Sequence, residues 1–443
     1  MKRVVTLDVL RGIAIFVVIL SHVFIYVVDF SIFDPVGGSK FLLILLSPLI
    51  FLGKWKGFFL MISAASQLYS MNKGFQSNSS PFIVFLKQIL NGVLLLLIAY
   101  IFKIFLLPGA VLYQYIFNGV WDPAARISAI QFSDTLESIA LSRIIVASIY
   151  YLMTRGKGLF KPYRNLIIFG ALCITVIVLR PVVIQWVFNN TGLTPTSIPS
   201  TPASSWKERL RLVFYANLIG HQQPLFPFVS SAFFGAMYGI VFTQKSLPKK
   251  KFLRTAFFIS LGLLFLGLGL LPFTEDIIAD FWTHLHATWM LFVNLGFQSM
   301  CFLLMMYLIE FHPNNAKTVR RLRFFRRFGM LSMSIFCMEL VDLIPRWLFT
   351  QIFKINLITG KTGNMGILLL LVIVTLAFWY GIIRLWELAR FYGSLEVFLK
   401  FLTGLLFWKK PNLKDPLNSN QILYNVEPIS LLHVPNEMES NNI

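Results

Sequence analysis

Ten apolar runs, each close to the length needed to cross a bilayer as a helix, recur along the chain near residues 4–28, 57–72, 83–107, 134–153, 164–187, 226–243, 252–271, 287–311, 325–345 and 366–386. That recurrence predicts an all-α fold, a polytopic transmembrane helical bundle of about ten spans. An eleventh crossing stays open. The run at 41–52 is too short to cross alone, and the run at 397–408 either lies in the interface or completes a crossing. Only 13% of the 443 residues are charged and 57% are hydrophobic, far from the charged shell of a soluble chain of this size. Forty-five Phe and ten Trp suit lipid-facing and interfacial positions.

The net charge of +20 raises nucleic acid as a partner, but the cations come in short bursts between apolar runs, with no basic recognition helix or stripe. Positive-inside topology accounts for them, so no nucleic acid is expected. With the N-terminus in the cytoplasm, Arg155, Lys161 and Arg164, then Lys249, Lys250, Lys251 and Arg254, then Lys317, Arg320, Arg321, Arg323, Arg326 and Arg327 all fall on the cytoplasmic side. Glu275, Asp276 and Asp280 fall opposite, although Lys54, Lys56, Lys207, Arg209 and Arg211 lie there as well. Both termini are expected in the cytoplasm, with residues 1–410 forming the membrane domain and 411–443 a short, polar, partly ordered tail. Cys173, Cys301 and Cys337 sit inside apolar runs and read as packing residues. The segment NNTGLTPTSIPSTPASS, 189–205, reads as an exposed loop, followed by an interfacial helix or a plain lead into the next span.

Ionisable groups inside apolar runs are expensive and mark candidate sites. On one helix over 4–28, Arg11 and His22 point within ~20° of one another and Asp8 within ~40° of His22, with about 16 to 21 Å of axis between them and it. His22 reads as a general base, an acyl relay or an interhelical hydrogen bond. Asp8 and Arg11 read as a fixed ion pair or a site for an anionic donor, Arg being suited to phosphate. Ser63 and Ser66 read as interior packing positions with a weaker nucleophile reading. Glu137, Ser142 and Arg143 put polar groups in the fourth run, where Glu137 binds an acceptor amine or hydroxyl or meets far-side water. Glu339, Asp342 and Arg346 cluster in the ninth, with i,i+4 pairing open to Asp342 and Arg346. His284 and His286 are too few for a metal argument, and no metal site is expected. Gly235, Gly239 and Gly262 read as close-contact positions between helices.

KRVVTLDVLRGIAIFVVILSHVF at 2–24 resembles the opening of the transmembrane acyltransferase superfamily, through Leu7, Asp8, Arg11, Gly12 and His22. That superfamily includes membrane O-acyltransferases (acyltransferase type 3) and heparan-alpha-glucosaminide N-acetyltransferase-like proteins. GFFLMISAAS at 57–66 is similar to the next family segment, with Ala64 where Gly is usual. FSDTLESIALSRII at 132–145, HQQPLFPFVSSAFFGAMYG at 221–239 and FGMLSMSIFCMELVD at 328–342 follow in family order, the last with Phe336 at the usual Tyr position. The resemblance implies an acyltransferase of a prokaryotic plasma membrane, working among membrane lipid. Its donor would be cytoplasmic acyl-CoA, usually acetyl-CoA, and its acceptor a hydroxyl or amine of an extracytoplasmic sugar, glycan or lipid-linked sugar. Catalytic expectations fall on His22, Asp8 and Glu339, and donor-binding ones on Arg11, Arg143 and Ser63. The competing readings are a transporter or flippase for a small anionic metabolite or lipid-linked sugar, using the same polar residues, and a noncatalytic scaffold.

Overall fold

The computed structural model describes residues 2–29, 48, 51–53, 55–77, 80–107, 109–155, 161–220, 223–244, 247–273, 287–311, 315–358, 360–407, 415–424 and 427–428. Within them the chain is all-α apart from two two-residue strands. The long helices are α1 (Val5–Val27), α2 (Lys56–Gln76), α3 (Pro81–Phe105), α4 (Thr135–Thr154), α5 (Pro162–Thr191), α6 (Trp206–Ile219), α7 (Leu225–Thr243), α8 (Lys249–Gly269) and α9 (Thr288–Glu310). Shorter pieces follow: α10 (Asn315–Arg321), α11 (Arg323–Met330), α12 (Ser332–Cys337) and α13 (Leu343–Phe353). The chain then forms α14 (Met365–Leu388), α15 (Leu395–Leu406) and α16 (Ser419–Leu423). Eight helices of the described residues are long and apolar enough to cross a membrane: α1, α3, α4, α5, α7, α8, α9 and α14.

Burial sorts these helices into centre and rim. The apolar window of α7 is 83% buried, whereas those of α3, α5 and α8 are 22% buried and turn most of their apolar surface outward, as lipid-facing helices must. α2 falls outside the eight because Ser63, Ser66, Gln67, Asn72 and Lys73 interrupt it. It is sheltered by protein instead. Met61, Ala65 and Leu68 are fully buried against α7, and a Cβ at Gly235 would overlap the Met61 carbonyl oxygen. Gly239 stands in the same relation to Ala65, so two of the three expected close-contact glycines hold. Gly262 does not, since a Cβ there meets nothing within 4 Å. The same packing principle joins α1 to α11: a Cβ at Gly12 would overlap the Phe325 carbonyl oxygen, and one at Gly329 the carbonyl of Asp8.

Helix starts follow sequence chemistry. Asp134 and Glu137 form a reciprocal capping box at α4, while Ser205, Asn364 and Ser394 cap α6, α14 and α15. α1 lacks a side-chain cap of its own, and Glu310 at the end of α9 supplies one: its carboxylate accepts from Thr6 N–H at 3.1 Å and from the Thr6 hydroxyl. A carboxylate against orphan helix N–H groups is the favourable charge placement there.

The ninth expected span, 325–345, is not one helix. The chain leaves helical geometry at Leu331 and again at Met338, giving α11, α12, a 3-10 turn over Glu339–Asp342 and α13. The break frees N–H groups at the start of α12. Glu396 takes them up, accepting from Met333 N–H at 2.8 Å, Ser334 N–H at 3.1 Å and the Ser334 hydroxyl. The segment 189–205 also differs from a plain exposed loop: α5 runs on to Thr191, and Ile198 is fully buried against Val187, Ala216 and Ile219.

Strand β1 (Lys2–Arg3) pairs in parallel with β2 (Glu427–Pro428), bringing two regions far apart in the sequence together. In α16, Ile422 and Leu423 belong to one buried apolar cluster with Phe328, Leu331 and Trp379. The expected run at 41–52 and the His284/His286 pair lie outside the described residues, apart from residues 48, 51 and 52.

Candidate functional site

The polar residues of α1 serve two separate places. At the end near β1, Asp8 and Arg11 line a cavity of about 400 Å³ together with Ser63 of α2, Arg143 of α4, and Glu396 and Lys400 of α15. Arg11 donates to the Ser66 hydroxyl at 2.5 Å. Arg143 donates to Gln88 Oε1 at 3.0 Å, and its backbone carbonyl accepts from Gln67 at 2.7 Å. Two guanidiniums thus share a cavity whose apolar lining includes Leu95, Leu136, Ile139 and Phe336. Confined like charges favour an anion between them.

Farther along α1, His22 meets Glu339. Its Nδ1 lies 3.0 Å from a Glu339 carboxylate oxygen, with the imidazole side chain 25% exposed and the carboxylate 5%. Because Glu339 sits in the 3-10 turn rather than on a continuous helix, the broken ninth segment is what carries its side chain to α1. Tyr26, one turn after His22, stacks edge-on against it at 5.7 Å. Arg346 covers the other side of the Tyr26 ring at 4.9 Å, and the indole N–H of Trp379 donates to Asp342. The group is anchored by α1, the 3-10 turn, α13 and α14, so its imidazole is held by side chains that are themselves held.

The expected residues therefore divide. Arg11, Arg143, Ser63 and Asp8 are brought together; His22 and Glu339 are brought together; Asp8 does not join His22. A common angular face on α1 does not overcome the rise between them. No family model matches the chain, and no curated protein matches it. The resemblance to the transmembrane acyltransferases rests on the motif residues alone.

Other polar groups of the spans are held by one another. Glu137 pairs with the buried Lys103 and accepts from the Asp134 backbone N–H at 3.1 Å, its carboxylate closing a capping box. Tyr238, Ser299 and Ser260 form a buried hydroxyl chain, and Tyr150 donates to Asn72, which donates to Thr243 at 2.8 Å. Cys173, Cys301 and Cys337 are free thiols, and the described residues contain no group of three or more His, Cys, Asp or Glu side chains suited to a metal.

Sequence reasoning passed over four residues of these sites. Tyr26 was within reach, lying four residues after His22 and so on the same helical face. Glu396 and Lys400 open an amphipathic run whose crossing was left undecided, and nothing local ties them to α1 or α12. Trp379 looks like any aromatic of an apolar span until Asp342 is seen beside its indole.

Proposed function

We propose that this protein is a membrane acyltransferase, moving an acetyl or other acyl group from acyl-CoA to a hydroxyl or amine of a sugar, glycan or lipid-linked sugar on the opposite side of the membrane. The observation that carries the reading is the His22–Glu339 contact at 3.0 Å within a membrane-type bundle. The Glu339 carboxylate beside Nδ1 favours the proton on that nitrogen, leaving Nε2 as an acceptor. As the acceptor oxygen or nitrogen attacks the thioester carbonyl carbon, Nε2 takes its proton. The C–S bond then breaks and the same proton passes to the departing sulfur, so a neutral thiol leaves and His22 is restored. Glu339 is a positioning residue that steadies the transient imidazolium. Arg11 and Arg143 offer hydrogen-bond donors to the donor's pantetheine arm in the cavity, with Ser63 in its wall and Asp8 and Glu396 limiting the excess positive charge.

On this reading the end of the bundle bearing β1, α10 and α11 faces the cytoplasm, consistent with its arginines and lysines. Incubating the purified protein in lipid nanodiscs with radiolabelled acetyl-CoA and a panel of sugar acceptors tests the function. Label appearing in a sugar with the parent protein but not with folded His22→Ala supports it; equal transfer by both removes His22 from the mechanism, and no transfer to any acceptor with specific acetyl-CoA uptake into sealed vesicles replaces the reading with transport.

A further inference from the structure

The segment 415–424 lies across one end of the cavity. Leu417 and Ile422 form part of its wall, and the Lys400 ammonium, also in the wall, donates to the Pro416 carbonyl at 2.6 Å. The segment is internally braced: Asp415 accepts from Ser419 N–H at 2.7 Å, the Ser419 hydroxyl at 2.9 Å and Asn420 N–H at 3.2 Å. It is pinned at its far end by Tyr424. That hydroxyl donates to Glu387 at 2.5 Å and accepts from Arg327 at 3.2 Å, while the Arg323 guanidinium lies 4.6 Å from the ring centre.

Among the described residues the charges at this pin do not balance. Arg327 and Arg384 both contact Glu387, Arg323 stacks on the Tyr424 ring, and the Arg323 Nε is buried with no hydrogen-bond partner among the described residues. Three guanidiniums around one carboxylate leave about two positive charges for a group that can displace a single hydroxyl and bridge the arginines. A diphosphate has that charge and that number of acceptor oxygens. Leu417 and Ile422, of the same segment that Tyr424 pins to these arginines, line the cavity, so such a group would sit at the cavity's mouth.

We propose that Arg323, Arg327 and Arg384 form a diphosphate-binding site at this mouth, and that the segment 415–424, held by Tyr424, is a lid that the diphosphate releases. The proposal rests on the acyltransferase reading for the identity of the ligand, the diphosphate of the acyl-CoA donor, but not for the site itself. When the phosphates engage Arg323 and Arg327, the Tyr424 hydroxyl loses its guanidinium partner and its place over Glu387. Leu417 and Ile422 then leave the cavity wall, opening it to the rest of the donor.

Hydrogen exchange of the backbone amides of 415–424, followed by mass spectrometry on the full chain in neutral-lipid nanodiscs, tests this with inorganic pyrophosphate as the probe and ionic strength held constant. Saturating pyrophosphate is expected to speed exchange of this segment about tenfold in the parent. Arg323→Gln combined with Arg327→Gln abolishes that response. Tyr424→Phe, which keeps the ring under Arg323 and removes only the hydroxyl, speeds exchange without any ligand. An unchanged rate in the parent, or a response that survives the double substitution, overturns the proposal. The same acceleration produced by phosphatidylglycerol nanodiscs in place of pyrophosphate also overturns it, assigning the arginines to a lipid headgroup. Absence of acyl transfer alongside a full pyrophosphate response would count against the proposed reaction and leave the site standing.

Discussion

His22 of the first helix and Glu339 of a single 3-10 turn late in the chain meet at 3.0 Å, and that turn follows two breaks in the ninth apolar segment. A continuous helix through 325–345 would carry Glu339 on a fixed angular schedule. The breaks at Leu331 and Met338 reset that schedule and turn the carboxylate toward α1.

Replacing Glu339 by Gln keeps the shape and removes the charge opposite the imidazolium. Acetyl transfer is expected to fall by about tenfold or more in kcat with little change in the KM for acetyl-CoA, whereas His22→Ala is expected to lose about 10² to 10⁴-fold. Steady-state kinetics in nanodiscs checks both, and a Glu339 effect confined to KM would remove it from the positioning role.

The Lys103–Glu137 pair is fully enclosed, with side chains 1% and 0% exposed. Lys103→Met leaves a buried carboxylate without its cation and is expected to cost about 3–5 kcal/mol. Adding Glu137→Gln should restore part of that loss. Thermal unfolding in detergent reads the difference, and a single substitution no worse than the double one would show that the pair is not coupled.

Gly12→Ala places a methyl group into the Phe325 carbonyl, which is main chain and cannot rotate away. The expected loss is about 1–3 kcal/mol or more, seen as reduced folded yield and a lower Tm. Gly262→Ala, in open space, is the matched control and should be silent or slightly stabilising.

Glu310→Gln tests the cap on α1. The amide oxygen still accepts one hydrogen bond from Thr6, but the charge facing the helix N-terminus is gone, so a loss of about 1 kcal/mol is expected, with Glu310→Ala costing about 1–3 kcal/mol more visibly in the same unfolding assay. Equal stability of all three proteins would show that α1 is held by its apolar contacts alone.

The bundle was legible in the sequence because bilayer thickness imposes a length on every crossing, and α1, α3, α4, α5, α7, α8, α9 and α14 obey it within a few residues. α2 was legible by length but not by its neighbours, since its serines and amides are tolerated only where α7 shelters them. The candidate site was half legible. Asp8, Arg11, Ser63 and Arg143 could be named as polar groups within apolar runs, and the rise along α1 already parts Asp8 and Arg11 from His22, yet which helices pack beside each is information no local window contains. Glu396 was out of reach for the same reason, being defined by N–H groups that a break at Leu331 exposes.

The pairing of Lys2–Arg3 with Glu427–Pro428 has a consequence for how the protein is made. Lys2 and Arg3 can find these backbone partners only after the intervening helices have been made, so the pairing joins segments whose meeting costs more loop-closure entropy than any local turn.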